Sequence, residues 1–95
     1  MSEAATITVH VPSVLRAYSG CPADVTLSAP DVRAVLAELE RVQPALYRSV
    51  CDETGAVRRH INVFVNQSHV RDREGLDTAL VPGDVVIILP AVSGG

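Results

Sequence analysis

The sequence has 95 residues, a length that fits one domain with a single hydrophobic core. Apolar residues make up 47% and charged residues 20%, the net charge is −3, and every basic residue except histidine is an arginine. This composition is typical of a soluble globular domain. It lacks the basic stripe that nucleic-acid binding requires and any apolar run long enough for a membrane helix, so we expect neither partner.

No secretory signal is evident, because Met1–Ala5 carries no positive charge and no apolar stretch follows it. We therefore expect a cytoplasmic protein in which Cys21 and Cys51 are free thiols rather than a disulfide. The cysteines and the three histidines are scattered and lack the spacing of a zinc site. The sequence thus predicts no bound metal.

The first third of the chain predicts a β-hairpin. Residues 6–11 (TITVHV) alternate apolar and polar side chains, as a half-buried strand does, and Pro12 ends the strand. A second short strand is predicted at about residues 24–28. The segment Ser19–Pro22 is rich in turn-forming residues, so the two strands are expected to pair through a turn.

Residues 31–43 show the clearest helical periodicity in the sequence. Either Asp31 or Ser28 can cap the N-terminus of this helix, and Pro44 ends it. The apolar stripe that should pack on the sheet consists of Val32, Val35, Leu36, Leu39 and Val42.

The segment of residues 45–60 is less regular. Apolar residues within 46–50 predict one short apolar turn, and Asp52–Gly55 is interpreted as a loop tip. The basic pair Arg58–Arg59 is interpreted as a solvated strand edge.

Another strand is predicted at residues 61–66 (INVFVN), where apolar and polar positions again alternate. The chain is expected to turn at Asn66–His69 and to return in a short strand that includes Val70. An apolar cluster at residues 76–80 predicts about one helical turn.

The last strand is predicted at residues 85–89, after a type II turn at Val81–Asp84. This strand is apolar on both faces and therefore suits a central position between the first and third strands. The expected fold is an α+β roll with a mixed sheet of four to five strands and one main helix on one face. Residues 1–90 would form the domain and residues 91–95 a flexible C-terminal tail.

The last strand also predicts an apolar patch on the uncovered face of the sheet. Because alternate residues of this strand must face the helix, Ile87 and Leu89 face outward beside Phe64 of the neighbouring strand. These three residues, called the open-face patch below, are typical of an interaction surface. Two alternatives are that residues 45–58 fold over the patch or that a second copy of the chain covers it.

The final segment is LPAVSGG, residues 89–95. Such an ending fits either a frayed terminus or a functional end, because glycine lets a partner approach the backbone closely. When extended, residues 90–95 reach about 20 Å, which is enough to enter a cleft while the domain stays outside.

Four segments resemble the bacterial sulfur-carrier proteins, the ubiquitin-like family that contains ThiS, MoaD and CysO. They are the helix DVRAVLAEL (31–39), the strand INVFVN (61–66), the turn and strand LVPGDVVI (80–87) and the ending ILPAVSGG (88–95). The ending, together with VPSVLR (11–16), is most similar to CysO-type carriers, which serve cysteine biosynthesis. The resemblance implies the β-grasp fold of ubiquitin.

The resemblance also implies a carrier that is a substrate of partner enzymes and not itself an enzyme. In this family an activating enzyme of the ubiquitin-activating type uses ATP and magnesium to adenylate the C-terminal carboxylate. A sulfur donor then converts it to a thiocarboxylate. The reactive group would be the carboxylate of Gly95, preceded by Gly94, with no cofactor bound by the carrier. The residues expected to contact partners are Phe64, Ile87, Leu89, Pro90, Ala91, Val92 and Ser93.

Further partners follow from the resemblance. A synthase would accept the sulfur, and some relatives need a metalloprotease to remove residues that follow the glycines. Three alternative functions stay open for this chain: a ubiquitin-like modifier of lysine side chains, the small subunit of a molybdopterin synthase, and a β-grasp binding domain with an inert tail.

Overall fold

The computed structural model describes residues 5–90 and shows a five-stranded mixed sheet with three helices packed on it. The strands are β1 (Thr6–His10), β2 (Asp24–Ser28), β3 (Ile61–Val65), β4 (Ser68–His69) and β5 (Val85–Pro90). The helices are α1 (Ser13–Ser19), α2 (Val32–Val42) and α3 (Pro44–Val50). Two short 3₁₀ helices, Val70–Asp72 and Gly75–Asp77, lie between β4 and β5.

The strand order is β2-β1-β5-β3-β4, which confirms the predicted central position of the last strand. β5 runs parallel to β1 and antiparallel to β3, while β1 and β2 form the predicted antiparallel pair. An apolar strand buries most surface at the centre of a sheet, since neighbours flank it on both edges. The apolar residues on both faces of β5 therefore explain its central position in the sheet.

The predicted main helix is confirmed as α2, and its apolar stripe faces the core. Four of the five stripe positions are buried, whereas Val42, at the C-terminal end of α2, is 37% exposed. Of the two predicted caps, Asp31 is the one used, because its Oδ1 accepts a hydrogen bond from the Ala34 N–H at 2.8 Å.

The prediction of a simple turn between β1 and β2 is wrong, because helix α1 occupies residues 13–19. Leu15 on this helix is buried, at 5% exposure. Gly20, with φ of +71°, ends the helix through its N–H, which donates to the Arg16 carbonyl at 2.8 Å. The turn-forming residues after Ser19 therefore mark the end of a two-turn helix.

The segment after Pro44 also differs from the prediction, since it forms helix α3 rather than one apolar turn. Pro44 both ends α2 and starts α3, because proline is tolerated in the first turn of a helix. Leu46 and Val50 are fully buried, and α3 packs against α1 and α2. The segment thus joins the helix side of the core, and the alternative in which it covers the open face is wrong.

Two smaller predictions also need correction. β4 comprises only Ser68 and His69, and Val70 begins a 3₁₀ helix instead of continuing a return strand. Arg58 and Arg59 lie in the turn that leads into β3, not on a strand edge. The Arg58 Nε donates to the Arg48 carbonyl at 3.0 Å, which ties this turn to α3.

The turn that leads into β5 is held by a network of hydrogen bonds involving Asp84 and Asn66, which the sequence analysis did not predict. Gly83 has φ of +91°, as the predicted type II turn requires. The carboxylate of Asp84 accepts from the Val81 N–H at 2.9 Å and from the Asn66 side-chain amide at 3.0 Å. Asn66 Oδ1 in turn accepts from the Val85 N–H at 3.0 Å. These bonds fix the register of β5 against β3.

Candidate functional site

The face of β5 that points away from the helices carries the predicted open-face patch. Val86 and Ile88 are buried, at 1% and 0% exposure, whereas Leu89 is 39% exposed and Ile87 is half-buried. This alternation confirms the predicted facing of Ile87 and Leu89.

Phe64 lies next to these two residues on β3. The antiparallel register pairs Phe64 with Ile87 and Asn62 with Leu89, so that all four side chains project from the same face. Phe64 is half-buried and is not part of the buried core. Cross-strand partners have Cβ atoms about 4.5–5.5 Å apart, so Phe64 and Ile87 form one continuous apolar surface with Leu89 at its end.

His69 on β4 extends this surface, and the sequence analysis did not identify it as a site residue. Its ring lies edge-to-face with Phe64, with ring centroids 5.0 Å apart. Nδ1 accepts from the Arg71 backbone N–H at 3.0 Å, and Nε2 lies 2.9 Å from Asn62 Oδ1. These partners assign the proton of the neutral ring to Nε2, so that it donates to Asn62. Both ring nitrogens are hydrogen-bonded, and the imidazole, fixed in this way, packs against the ring of Phe64.

A signal for His69 was present in the sequence. The two-residue connection between Val65 and Ser68 sets the register of the β3–β4 hairpin, and this register places His69 opposite Phe64. The sequence analysis extended the turn through His69, and the position of His69 opposite Phe64 was therefore missed.

On its other side the patch is bordered by polar groups. His10 pairs with Ile87 across the parallel β1–β5 register, and its Nδ1 lies 3.0 Å from Asp24 Oδ1 on β2. Both side chains are well exposed. The open face thus has an apolar centre on β5 and β3 and a polar border on β1 and β2.

The C-terminal segment starts at the end of this surface. Pro90 is the last residue of β5 and pairs with Ile61, the first residue of β3. The predicted contact residues Ala91, Val92 and Ser93, together with Gly94 and Gly95, lie outside the described residues. The structure therefore places Phe64, Ile87 and Leu89 on one face of the sheet, whereas Pro90, which pairs with the buried Ile61, faces the opposite side where the described chain ends.

The two cysteines are free, as the sequence predicts, and both are buried. Burial raises the pKa of the Cys51 thiol, and the neighbouring carboxylate of Asp52 raises it further. A raised pKa lowers the thiolate fraction at neutral pH, and the thiolate is the reactive form. Cys51 is therefore a poor nucleophile.

Residues 5–90 show neither a metal site nor a membrane-spanning helix. They contain no group of three or more histidine, cysteine, aspartate or glutamate residues that could hold a metal ion. No helix in this part of the chain has the length and apolar character needed to cross a membrane.

Comparison with known proteins finds a family model and a curated relative that each match most of the chain. The family model described as the ThiS family matches residues 9–95. The sulfur carrier protein CysO of Mycobacterium tuberculosis is 37% identical over 91 residues, which cover 94% of this chain and 98% of that protein.

Two solved structures show the same fold. The small archaeal modifier protein 1 of Methanosarcina acetivorans superimposes with a TM-score of 0.86 at 31% identity, covering 99% of this chain and all of that chain. The crystal structure of the Amycolatopsis orientalis BexX/CysO complex contains a chain that matches with a TM-score of 0.81 at 32% identity. That match covers 94% of this chain and 99% of the other. The predicted β-grasp fold is confirmed.

Proposed function

Because this chain belongs to the ThiS family, we propose that it is a sulfur carrier protein, a substrate of partner enzymes rather than a catalyst. The observation that carries the proposal is a similarity to a sulfur carrier over 94% of the chain, within a family match that extends through Gly94 and Gly95. The free thiols are buried, and within residues 5–90 no metal cluster offers an alternative reactive centre.

The proposed reaction takes place at the C-terminal carboxylate of Gly95. A carboxylate oxygen attacks the α-phosphorus of ATP, a P–O bond breaks, and pyrophosphate leaves with its magnesium. Hydrosulfide, or a sulfur atom supplied as its equivalent, then attacks the carbonyl carbon, forms a C–S bond and expels AMP. The proton from the sulfur passes to solvent, and the product is the thiocarboxylate. ATP and magnesium belong to the activating enzyme.

The fold would serve this reaction by separating the reacting end from the domain. An acyl-adenylate hydrolyses in water, so the step requires a site from which water is excluded. Leu89 and Pro90 lie at the end of the central strand, where β3 alone pairs with β5, because the pairing with β1 ends at Ile87. The residues beyond Pro90 can therefore enter an enzyme cleft while the open-face patch contacts the enzyme's outer surface.

The partners proposed for this surface are an activating enzyme of the ubiquitin-activating type and a synthase that accepts the sulfur. The similarity to CysO supports cysteine biosynthesis as the pathway. A matching structure is a complex of CysO with BexX, which supports binding to a partner enzyme through a surface of this fold.

Intact-mass spectrometry tests the proposal. The protein is incubated with its activating enzyme, ATP, magnesium and sulfide, and a Gly95-deleted form serves as the matched control. We expect a mass gain equal to the replacement of one oxygen by one sulfur in the full chain and no gain in the deleted form. If a competent enzyme leaves the full chain unchanged, the carrier function is wrong.

The similarity to a small archaeal modifier protein favours one second candidate, attachment of Gly95 to lysine side chains of other proteins. Both functions need the same activation, but their products differ. A modifier yields a ladder of larger species on a denaturing gel, whereas a carrier yields a thiocarboxylated monomer. A similar structure described as a molybdopterin converting factor subunit is only 21% identical and supports the fold alone.

A further inference from the structure

A recess lies at the edge of the sheet, beside β3 and away from the centre of the open face. Its volume is about 330 Å³, and it opens to solvent between the loop at residues 56–59 and the segment at residues 69–76. The residues that form its apolar floor and walls are Val57, Ile61, Val63, Val70 and Leu76. Ile61, Val63 and Val70 are buried, whereas Val57 and Leu76 are partly exposed.

This recess follows an incomplete sheet edge. β4 pairs only with Phe64 and Val65, and at Val70 the chain leaves the sheet in a 3₁₀ helix. Within residues 5–90, no strand lies beside Ile61–Val63 on that side, and the Ile61 N–H is bonded to the Arg58 carbonyl at 2.9 Å, so the free part of the edge is centred on Val63. The backbone of an uncovered strand edge is a template for the addition of another extended segment.

The rim of the recess is positively charged, although the chain as a whole carries a net charge of −3. Arg59 stands on one wall and Arg71 on the other, and both side chains are exposed. Neither guanidinium takes part in an ion pair within residues 5–90. Arg58 differs from them, because its Nε is bonded to the Arg48 carbonyl and its charge acts on Asp52.

We propose that this recess, the β3-edge groove, binds an extended acidic segment of a partner protein. The segment adds alongside Ile61–Val63, places alternate apolar side chains on the groove floor and directs acidic side chains toward Arg59 and Arg71. The strand edge favours a peptide backbone over a small molecule, and the two unpaired cations favour carboxylates over a neutral or basic sequence.

The β3-edge groove is distinct from the surface proposed for the activating enzyme and does not depend on the reaction at Gly95. Only His69 contributes to both, because its ring contacts Phe64 on the open face and also lines the groove. A partner in the groove therefore leaves Ile87 and Leu89 uncovered, and the two sites can be occupied together.

Nuclear magnetic resonance titration of the full chain tests this proposal. The probe is a short blocked peptide of alternating glutamate and valine, and the matched control is a peptide of alternating serine and valine. We expect shifts of the backbone amide signals confined to residues 57–63 and 69–76, with affinity for the acidic peptide about tenfold higher, equal to about 1.4 kcal/mol. Absence of shifts with the acidic peptide, or equal affinity for both peptides, overturns the proposal.

Reversing the charge of single arginine side chains provides a second test of the same proposal. Arg71→Glu removes a groove cation, whereas Arg48→Glu makes the same charge change on the exposed surface of α3. We expect Arg71→Glu to weaken binding of the acidic peptide about fivefold or more and Arg48→Glu to change it less than about twofold. Equal effects of the two variants overturn the specific role of the groove. If sedimentation shows instead that the wild-type chain self-associates and Arg71→Glu abolishes this, the occupant is a second copy, and the proposal is wrong.

Discussion

At the scale of single residues, the proposed docking function depends most directly on Phe64. It is the aromatic member of the open-face patch, lies opposite Ile87, and packs against the ring of His69. Its facing followed from the sequence because a strand has a strict period of two. The contact between His69 and Phe64 could not be predicted from the sequence, because it depends on the register of a two-residue strand.

We expect Phe64→Asp to weaken binding to the activating enzyme at least about tenfold, since aromatic side chains at the centre of an interface often contribute about 1–2 kcal/mol or more. Calorimetric titration measures the affinity, and circular dichroism measures the fold. Val14→Asp, at a 46% exposed position on α1, is the matched control and should bind normally. If Phe64→Asp unfolds the domain while Val14→Asp does not, Phe64 belongs to the core.

The two thiols are expected to have no part in sulfur loading. Cys21 and Cys51 are buried, and burial raises the pKa of Cys51. Cys21→Ala and Cys51→Ala should therefore acquire sulfur to the same final extent as the wild type, as measured by intact mass. Loss of loading in a variant that remains folded would show that a thiol takes part.

At the scale of elements, the sequence predicted long or strictly alternating segments and missed short helices. α2 was evident because its apolar stripe repeats over three turns, and β5 because it is apolar throughout. α1 and α3 have seven residues each, which is too few for a periodic pattern to stand out. Tertiary packing of Leu15, Leu46 and Val50 stabilises them, and that packing is not a local property of the sequence.

The core role of α3 gives a direct prediction. Leu46 is fully buried, so Leu46→Ala should lower the free energy of unfolding by about 2–5 kcal/mol, from lost burial and the resulting cavity. Val42→Ala, at the 37% exposed end of α2, should cost about 1 kcal/mol or less. Urea denaturation of both variants measures the difference. Equal small effects would mean that α3 is not part of the core.

The network that leads into β5 should make stability depend on pH. Hydrogen bonds from the Val81 N–H and the Asn66 amide, with the charge of Arg73, lower the pKa of Asp84. A carboxyl whose pKa is lower in the folded state stabilises the fold above its unfolded pKa, and this contribution is lost as the pH falls through its folded pKa. Acidification below about pH 4 should therefore destabilise the wild type.

Asp84→Asn tests this dependence, because an amide does not titrate in this range. We expect a lower midpoint of thermal unfolding than that of the wild type at pH 7 and a smaller further decrease between neutral and acid pH. Asp72→Asn, an exposed carboxylate on the 3₁₀ helix after β4, provides the charge-matched control. An unchanged pH profile in Asp84→Asn would contradict the role assigned to this network.

At the scale of the whole molecule, the two faces of the sheet have different roles. The face covered by the helices forms the hydrophobic core that stabilises the fold, and the open face carries the proposed docking surface. β5 joins these roles, because Val86 and Ile88 enter the core while Ile87 and Leu89 face outward. The fold and this facing could be predicted from hydrophobic periodicity and family resemblance. The β3-edge groove could not, because its walls come from segments that lie apart in sequence and meet only in the folded protein.

The central claim, that sulfur is carried on the carboxylate of Gly95, can be tested on one peptide. Trypsin cleavage after Arg73 releases residues 74–95, which contain neither cysteine nor methionine, so this peptide holds no sulfur before loading. After incubation with the activating enzyme, ATP, magnesium and sulfide, tandem mass spectrometry should show one oxygen replaced by sulfur, with fragments that place it on Gly95. An unchanged mass of the peptide 74–95, or fragments that place the sulfur on any residue other than Gly95, would contradict the claim.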